Sequence, residues 1–121
     1  PSMCKRGWGR FVQVGSISAK FGGGSSSFCY ALSKFAMEFL PADYKAWAKS
    51  DVLVNTIRVG VTDTKIHKND PEKDMSFRVS LIPMGRMARV NEYQGVVVFL
   101  LSEASAYMNG AVIPMEGGRS V

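Results

Sequence analysis

The chain has 121 residues, of which 46% are hydrophobic and 21% are charged, and its formal net charge at pH 7 is +5. This composition is typical of one folded globular domain and argues against a disordered chain. No apolar run approaches the roughly 20 residues that cross a bilayer, so we expect no membrane partner. The amino-terminal segment PSMCKRGWGR has no apolar stretch of the signal-peptide kind, which predicts a cytoplasmic protein.

Cysteine, histidine and charge argue against several classes of site. Cys4 and Cys29 are too few for a disulfide framework, so we expect two reduced thiols. His67 is the single histidine and has no cysteine near it, so we expect no metal site. The basic residues form no long run and are diluted by acidic ones, which predicts no nucleic-acid partner. The net charge instead favours an anionic cofactor.

The first part of the chain predicts a strand, a loop and a helix. Residues 9–16 (GRFVQVGS) carry the apolar and β-branched side chains of a short strand. The Gly/Ser-rich segment 16–27 predicts a loop, with Ser27 as the N-cap of the next helix. Apolar residues near helical spacing then predict a helix over residues 28–49, which Pro41 should kink or split because proline removes a backbone donor.

The middle of the chain predicts a buried strand followed by a polar connection. Residues 52–59 (VLVNTIRV) are apolar on both faces and rich in β-branched side chains, which is typical of a buried parallel strand. Residues 60–74 are polar and predict turns. Residues 75–81 predict a short helix that Pro83 ends.

The last part of the chain predicts a helix and a strand. Asn91 is the expected N-cap of the helix, with Gln94 at the capping-box position. One apolar face then follows at helical spacing: Tyr93, Val96, Val97, Leu100 and Leu101. Residues 110–115 (GAVIPM) predict a strand whose proline lies at the edge of a sheet or at the end of the strand.

The order of these elements indicates the fold class. Strands that alternate with helices predict parallel pairing and right-handed crossovers, hence an α/β protein. Parallel sheets are usually covered on both faces and wider than three strands. The sequence therefore predicts one half of a doubly wound parallel sheet.

A pair of side chains with possible chemistry stands at the start of the first long helix. Tyr30 and Lys34 are four residues apart, so one helical turn places them on the same face. A phenol is a poor acid or base at neutral pH, and a neighbouring ammonium favours its ionised form. Ser16 ends the preceding strand, where its hydroxyl could hold a substrate oxygen. Taken alone, the pair is better explained by a lysine whose stem packs beside a half-buried tyrosine than by a catalytic role.

Several motifs follow one another in a recognisable order. The strand GRFVQVGS is followed by the Gly/Ser loop and by CYALSK, which contains Tyr-x-x-x-Lys. VNTIRVGVTDT then matches the pattern N-x-x-x-P-G-x-x-x-T except at the proline. The chain closes with IPMGRMARVNEYQGVVVFLLSEASAYMNGAVIPMEGG, a helix and a strand that end in Gly-Gly. In this order the motifs resemble the short-chain dehydrogenase/reductase family over essentially the whole chain.

The resemblance implies an NAD(P)-dependent oxidoreductase that interconverts a carbonyl and an alcohol. Tyr30 would be the general acid/base of that reaction. Lys34 would favour the phenolate of Tyr30 and bind the nicotinamide ribose, so that both residues also contact the cofactor. Ser16 would orient the oxygen of a small-molecule substrate. Ser18 is the alternative for that role, because the loop differs slightly in length from the commonest family pattern.

The resemblance also implies a binding segment for NAD or NADP after the second strand. Gly60 matches the family glycine, although Val59 stands where the family usually has proline. Thr62 lies where the backbone of the family meets the nicotinamide amide. Thr64 matches the threonine that bonds the amide or the phosphates.

One family motif is missing. The Gly-rich phosphate turn does not occur in this sequence. The resemblance therefore predicts that residues 1–121 are the carboxyl-terminal catalytic half of a single, Rossmann-like dinucleotide-binding domain, without its amino-terminal nucleotide-binding half. It also implies a homo-oligomer, either a tetramer or a dimer. The alternative is a non-catalytic, truncated chain that folds only against a partner chain.

Overall fold

A computed structural model describes residues 1–24, 26–68 and 73–121 of the chain. The described strands are β1 (Gly9–Ser16), β2 (Val52–Val59) and β3 (Val112–Met115). The described α-helices are α1 (Ser2–Arg6), α2 (Ser18–Phe21), α3 (Phe28–Ala36), α4 (Tyr44–Ala48), α5 (Lys65–Lys68), α6 (Met75–Ser80) and α7 (Gln94–Leu100). Short 3-10 turns cover Val90–Tyr93 and Glu103–Ser105.

The described strands form one parallel sheet in the order β1-β2-β3. β1 pairs with β2 along its whole length, from Gly9 opposite Val52 to Ser16 opposite Val59. The last four residues of β2 pair with β3. The predicted α/β class with parallel strands is confirmed. Parallel pairing brings the carboxyl ends of all three strands to one edge, where open α/β sheets bind their ligands.

The central strand β2 forms most of the core. Its residues 52–57 are all buried, although two of them are polar. The Asn55 side chain donates to the Met108 carbonyl at 2.9 Å and accepts from the Ala111 N–H at 3.1 Å. The Thr56 hydroxyl lies 2.9 Å from the side-chain oxygen of Gln13. Buried polar groups with partners of this kind avoid the cost of an unmade hydrogen bond.

The third strand is shorter than the strand predicted over residues 110–115. It begins at Val112. The N–H of Ala111 bonds to the Asn55 side chain and therefore does not join the ladder between the strands. β3 lies at an edge of the described sheet, which confirms the position that Pro114 predicts.

The helix predicted over residues 28–49 is split, as Pro41 predicts. α3 ends before the proline and α4 begins at Tyr44, whose N–H donates to the Pro41 carbonyl at 3.0 Å. Ser27 is the N-cap residue of α3, as predicted, but its side chain makes no capping bond to the helix. Its Oγ instead accepts from the N–H of Gly24 at 2.8 Å. The loop therefore competes successfully with the helix for this hydroxyl.

The segment between β2 and α7 follows the prediction in part, since α5 (Lys65–Lys68) lies in the region predicted as turns. α6 confirms the short helix predicted over residues 75–81. The Asp74 carboxylate caps it by accepting from the N–H of Phe77 at 2.9 Å. Part of the turn region predicted over residues 60–74, namely residues 69–72, lies outside the described residues.

The start of α7 differs from the prediction. Asn91 is not the N-cap, because it lies within the 3-10 turn Val90–Tyr93, and α7 begins at Gln94. Glu92 caps this 3-10 turn by accepting from the N–H of Arg89 at 2.7 Å. Tyr93 is the N-cap residue of α7 and makes no side-chain capping bond to it.

The predicted apolar face of α7 is confirmed except at its last position. Leu100 is 1% exposed, whereas Leu101 is 45% exposed. Tyr93, Val96 and Val97 are half-buried. α7 therefore packs against the rest of the chain through Val96, Val97 and above all its last residue, Leu100.

Within the described ranges, no helix combines the length and the apolar character of a membrane span. No three His, Cys, Asp or Glu side chains of those residues are grouped as a metal ion requires. Cys4 and Cys29 are free thiols, and Cys29 is exposed.

Candidate active site

The carboxyl ends of β1 and β2 bring two of the predicted site segments together. Ser16, the last residue of β1, pairs with Val59, the last residue of β2. Gly60 directly follows Val59. The N–H of Ile17 continues the ladder by donating to the Val59 carbonyl at 2.8 Å. The candidate substrate serine and the candidate cofactor glycine therefore leave the sheet side by side.

Ser16 is held at this edge by its own loop. Its side chain is buried, with the residue 5% exposed, and its Oγ accepts from the N–H of Ser18 at 3.2 Å. A hydroxyl that accepts one bond still carries its proton for a second partner. Ser18, the alternative in the sequence, begins α2 and acts here as the backbone donor that orients Ser16.

Tyr30 and Lys34 lie on one face of α3, as their spacing predicts. The Lys34 Nζ is 5.9 Å from the centre of the Tyr30 ring. The same Nζ donates to the carbonyl of Val14 at 3.0 Å, two residues before the end of β1. This bond fixes the ammonium between the helix and the strand that carries Ser16. The Tyr30 side chain is 42% exposed and therefore open to a ligand.

Gly60 is required by a close approach of the backbone. A Cβ at this position would lie 2.7 Å from the Cα of Glu116, which follows β3. The N–H of Gly60 donates to the Met115 carbonyl at 3.0 Å. Any side chain here would push the segment after β2 away from the end of β3, so only glycine keeps the two in contact.

The two candidate threonines use their hydroxyls inside the loop. Thr62 Oγ1 donates to the Gly60 carbonyl at 3.0 Å and lies 2.8 Å from the Tyr93 hydroxyl. Thr64 Oγ1 makes a long contact of 3.4 Å to the Thr62 carbonyl. An isolated parallel bridge joins Thr62 to Ala88. Val61 and Asp63, the neighbours of Thr62, make the two backbone bonds to Ala88. The N–H of Thr62 itself therefore faces away from Ala88.

An ion pair between Arg58 and Glu38 lies near the carboxyl end of β2. The Arg58 guanidinium makes two bonds of 2.7 Å to the Glu38 carboxylate. These bonds raise the pKa of Arg58 above its ordinary value. The pair ties the end of β2 to the turn after α3, and so helps to hold the helix that carries Tyr30 and Lys34 against the sheet.

His67 lies one helical turn after the threonine segment. Its N–H donates to the Thr64 carbonyl at 3.2 Å. Burial of the imidazole lowers its pKa, and the positive charges of Lys73 and Arg78 lower it further against the opposing effect of Asp63. The imidazole is therefore mainly neutral at pH 7.

A cavity of about 420 Å³ lies between the segment after β2 and the end of β3. Its lining includes Gly60, Val61, Tyr93 and Glu116, and is mostly apolar. Ser16, Tyr30 and Lys34 do not line it. Of the predicted site residues, the cavity therefore contacts only Gly60.

The sequence did not reveal two contacts of this site. Tyr93 was predicted only as part of an apolar helix face, yet its hydroxyl bonds to Thr62. Glu38 was given no role, yet it pairs with Arg58. The partners in each pair are 31 and 20 residues apart in the sequence, and no local pattern signals such a contact.

The amino-acid sequence matches a known protein family. The family described as enoyl-(acyl carrier protein) reductase matches residues 1–120. The chain belongs to this family. Together with the relatives that follow, this match confirms the resemblance to short-chain dehydrogenase/reductases.

The relatives are about twice as long as the chain. The 3-oxoacyl-[acyl-carrier-protein] reductase FabG of Pseudomonas aeruginosa is 32% identical over 117 residues, which cover 96% of this chain and 47% of that protein. The 2-dehydro-3-deoxy-D-gluconate 5-dehydrogenase of Bacillus subtilis is 35% identical over 119 residues, which cover 96% of this chain and 46% of that protein.

A solved structure shows the same fold. The crystal structure of a 3-oxoacyl (acyl-carrier-protein) reductase from Agrobacterium tumefaciens, with NADP bound, matches with a TM-score of 0.81 and 34% identity. The match covers 98% of this chain and 47% of that one. The chain thus spans about half the length of the relatives it matches, and its parallel sheet corresponds to half of their Rossmann-like fold.

Proposed function

We propose that this chain supplies the acid/base part of an NAD(P)-dependent oxidoreductase that interconverts a carbonyl and an alcohol. One observation carries the proposal above the others. Lys34 Nζ is bonded to the Val14 carbonyl at 3.0 Å and lies 5.9 Å from the ring of Tyr30. The structure thus holds an ammonium beside an exposed phenol, the side chain that would exchange a proton with the substrate oxygen.

Each side chain has a separate task in the proposed reaction. The bound cofactor would supply or accept the hydride. The Tyr30 hydroxyl donates a proton to the carbonyl oxygen during reduction and takes it back during oxidation. The Ser16 hydroxyl, oriented by the Ser18 N–H, holds the same substrate oxygen. Lys34 stabilises the phenolate and contributes a donor to the nicotinamide ribose.

The residues present fit the nicotinamide end of NAD or NADP. Lys34 uses one of its three donors on Val14, which leaves two for a ligand. The outward-facing N–H of Thr62 is a suitable donor to the nicotinamide amide. We assign the contacts with the cofactor to Tyr30, Lys34, Gly60, Thr62 and Thr64. The NADP in the related Agrobacterium tumefaciens structure supports a cofactor of this class.

The length of the relatives supports a further part of the proposal. We propose that residues 1–121 act as the carboxyl-terminal catalytic half of one dinucleotide-binding domain, in a cytoplasmic homo-oligomer, either a tetramer or a dimer. The substrate is a small carbonyl compound or alcohol. A non-catalytic chain that folds only against a partner is the alternative. It is favoured by the unpaired outer edge of β1 in the described sheet.

The substitution Tyr30→Phe in the intact protein tests the proposal. We expect turnover to fall by about 10²–10⁴-fold, because the ring is kept while the group that moves the proton is lost. The affinity for NAD(P)H, measured by calorimetric titration, should change little. Tyr107→Phe is the matched control, since the Tyr107 side chain is fully exposed.

Lys34→Met is the companion variant of the same experiment. It should lower both the rate and the cofactor affinity, because one ammonium serves both. Nearly normal turnover of Tyr30→Phe would remove Tyr30 from the mechanism. An intact wild-type protein that turns over no carbonyl or alcohol and binds no cofactor would favour the non-catalytic alternative.

A further inference from the structure

Tyr93 joins the segment that follows β2 to the turn that precedes α7. Its hydroxyl lies 2.8 Å from Thr62 Oγ1, and Thr62 Oγ1 donates to the Gly60 carbonyl at 3.0 Å. A threonine hydroxyl has a single proton. Since that proton goes to Gly60, the Tyr93 hydroxyl is the donor to Thr62. The two bonds form a chain from Tyr93 through Thr62 to Gly60.

Backbone hydrogen bonds attach the same segment to Met115 and to Ala88. The Gly60 N–H donates to Met115 at the end of β3, at 3.0 Å. Ala88 donates to the Val61 carbonyl and accepts from the N–H of Asp63, both at 2.9 Å. The segment 60–63 is thus attached to the sheet at one end and to Ala88 at the other. The bond from Tyr93 adds a side-chain contact between these two points.

The turn that carries Tyr93 is itself well supported. Glu92 makes bonds of 2.6 and 2.8 Å to the Arg86 guanidinium and accepts from the Arg89 N–H at 2.7 Å. The bonds from Arg86 and Arg89 lower the pKa of Glu92 to about 2, so this carboxylate stays ionised at neutral pH. The bonds of Glu92 therefore fix the conformation of the turn directly before Tyr93.

We propose that Tyr93 is a positioning residue for the cofactor. By donating to Thr62 it holds residues 60–64 in the conformation that receives the nicotinamide end of NAD or NADP, without contacting the reacting atoms itself. The inference rests on the proposed function, because it requires this segment to bind the cofactor. A segment that occupies its competent conformation for only part of the time binds with an affinity reduced by that fraction.

Tyr93→Phe in the intact protein is the direct test. It removes one oxygen and keeps the ring that packs on the chain. We expect the dissociation constants for NADH and NADPH to rise by about threefold to tenfold, the effect of one neutral hydrogen bond. The kcat at saturating cofactor should stay within about twofold, since the chemistry is unchanged. Tyr107→Phe, at a fully exposed tyrosine, is the matched control and should change neither quantity.

Amide hydrogen exchange supplies a readout that does not depend on activity. Loss of the Tyr93 bond should accelerate exchange at Gly60, Asp63 and Ala88, whose N–H groups hold the segment in place. Exchange in β2 should stay unchanged, because that strand is fixed by the sheet on both sides. A merely structural loss of stability would instead accelerate exchange throughout the core.

Substitutions at Thr62 test the same bond from its other partner. Thr62→Val removes the acceptor for Tyr93 together with the bond to the Gly60 carbonyl, and should weaken cofactor binding at least as much as Tyr93→Phe. The double variant should bind the cofactor no more weakly than Thr62→Val alone, because both changes remove one shared interaction. Thr62→Ser keeps the hydroxyl and should restore most of the wild-type affinity.

The outcomes separate this inference from the proposed function. If Tyr93→Phe leaves exchange in the segment unchanged, or accelerates it without weakening cofactor binding, Tyr93 is not a positioning residue. In either case the wild-type protein still binds the cofactor. A wild-type protein that binds neither NADH nor NADPH refutes the proposed function and this inference with it.

Discussion

The polar side chains near the carboxyl ends of the strands form hydrogen bonds with backbone groups of the same chain. Ser16 Oγ accepts from the Ser18 N–H at 3.2 Å, and Thr62 Oγ1 donates to the Gly60 carbonyl at 3.0 Å. Lys34 is bonded to the backbone of β1. These bonds fix the side-chain conformations before a ligand arrives, which reduces the entropy that binding must remove. The site residues are therefore preorganised by their own loops.

His67 offers a test at the level of one residue. It is the single histidine of the chain, so its imidazole gives an unambiguous NMR titration. Burial, together with the charges of Lys73 and Arg78, lowers its pKa, and we expect a midpoint below the ordinary 6.5. Lys73→Met should move the midpoint upward by removing one positive charge. A wild-type midpoint at or above 6.5 would contradict this environment for the ring.

The same titration has a consequence for stability. The folded state binds the imidazole proton less readily than the unfolded chain does, because the folded pKa is the lower one. The free energy of unfolding should therefore be highest above about pH 6.5 and decrease as the pH falls through the folded pKa. His67→Gln should remove this part of the pH dependence while leaving the acid unfolding caused by carboxylates.

At the scale of elements, the structure depends on patterns that the sequence shows and on contacts that it does not. β1, β2 and α6 were predicted because period and β-branching are local properties. The start of α7 differs from the prediction, since a 3-10 turn that contains Asn91 and is capped by Glu92 precedes it. Ser27 is the N-cap residue of α3 as predicted, but its hydroxyl bonds to Gly24 and not to the helix.

The burial of α7 gives a quantitative prediction at this scale. Leu100 is 1% exposed, so Leu100→Ala should lower the free energy of unfolding by about 2–5 kcal/mol through lost burial and the cavity left behind. Val98→Ala on the same helix is the control, since Val98 is 66% exposed and should matter little. Urea unfolding of the intact protein measures both. Equal effects of the two substitutions would show that α7 packs through a different face.

At the scale of the whole molecule, the candidate site could be predicted only in outline. Ser16, Tyr30 and Lys34 follow from motif order, and the structure brings the strand of Ser16 and the helix of Lys34 together through one bond to Val14. The support from Tyr93 could not be predicted, because a contact across 31 residues depends on how the helices pack. Sequence patterns therefore indicate the candidate reactive groups, while packing determines which side chains contact them.

The outer surface of the chain points to association. Three large side chains on α3 are exposed by more than half: Phe28, Leu32 and Phe35. In the described sheet β1 pairs with β2 on one side only, and its other side pairs with no described strand. An apolar helix face next to an open strand edge is a template for pairing with another chain.

A protein of these 121 residues alone should therefore self-associate at micromolar concentration and bind NAD(P) too weakly to measure. Lys34 and the segment 60–64 reach only the nicotinamide end, whereas a glycine turn at a helix N-terminus usually holds the pyrophosphate. Analytical ultracentrifugation and calorimetric titration test the two parts. Leu32→Glu should reduce association, because burying a carboxylate in an apolar contact is costly. Val98→Glu, at an exposed valine of α7, should not reduce it. A soluble monomer that binds NADP with micromolar affinity would show that this chain needs neither a partner nor a phosphate turn.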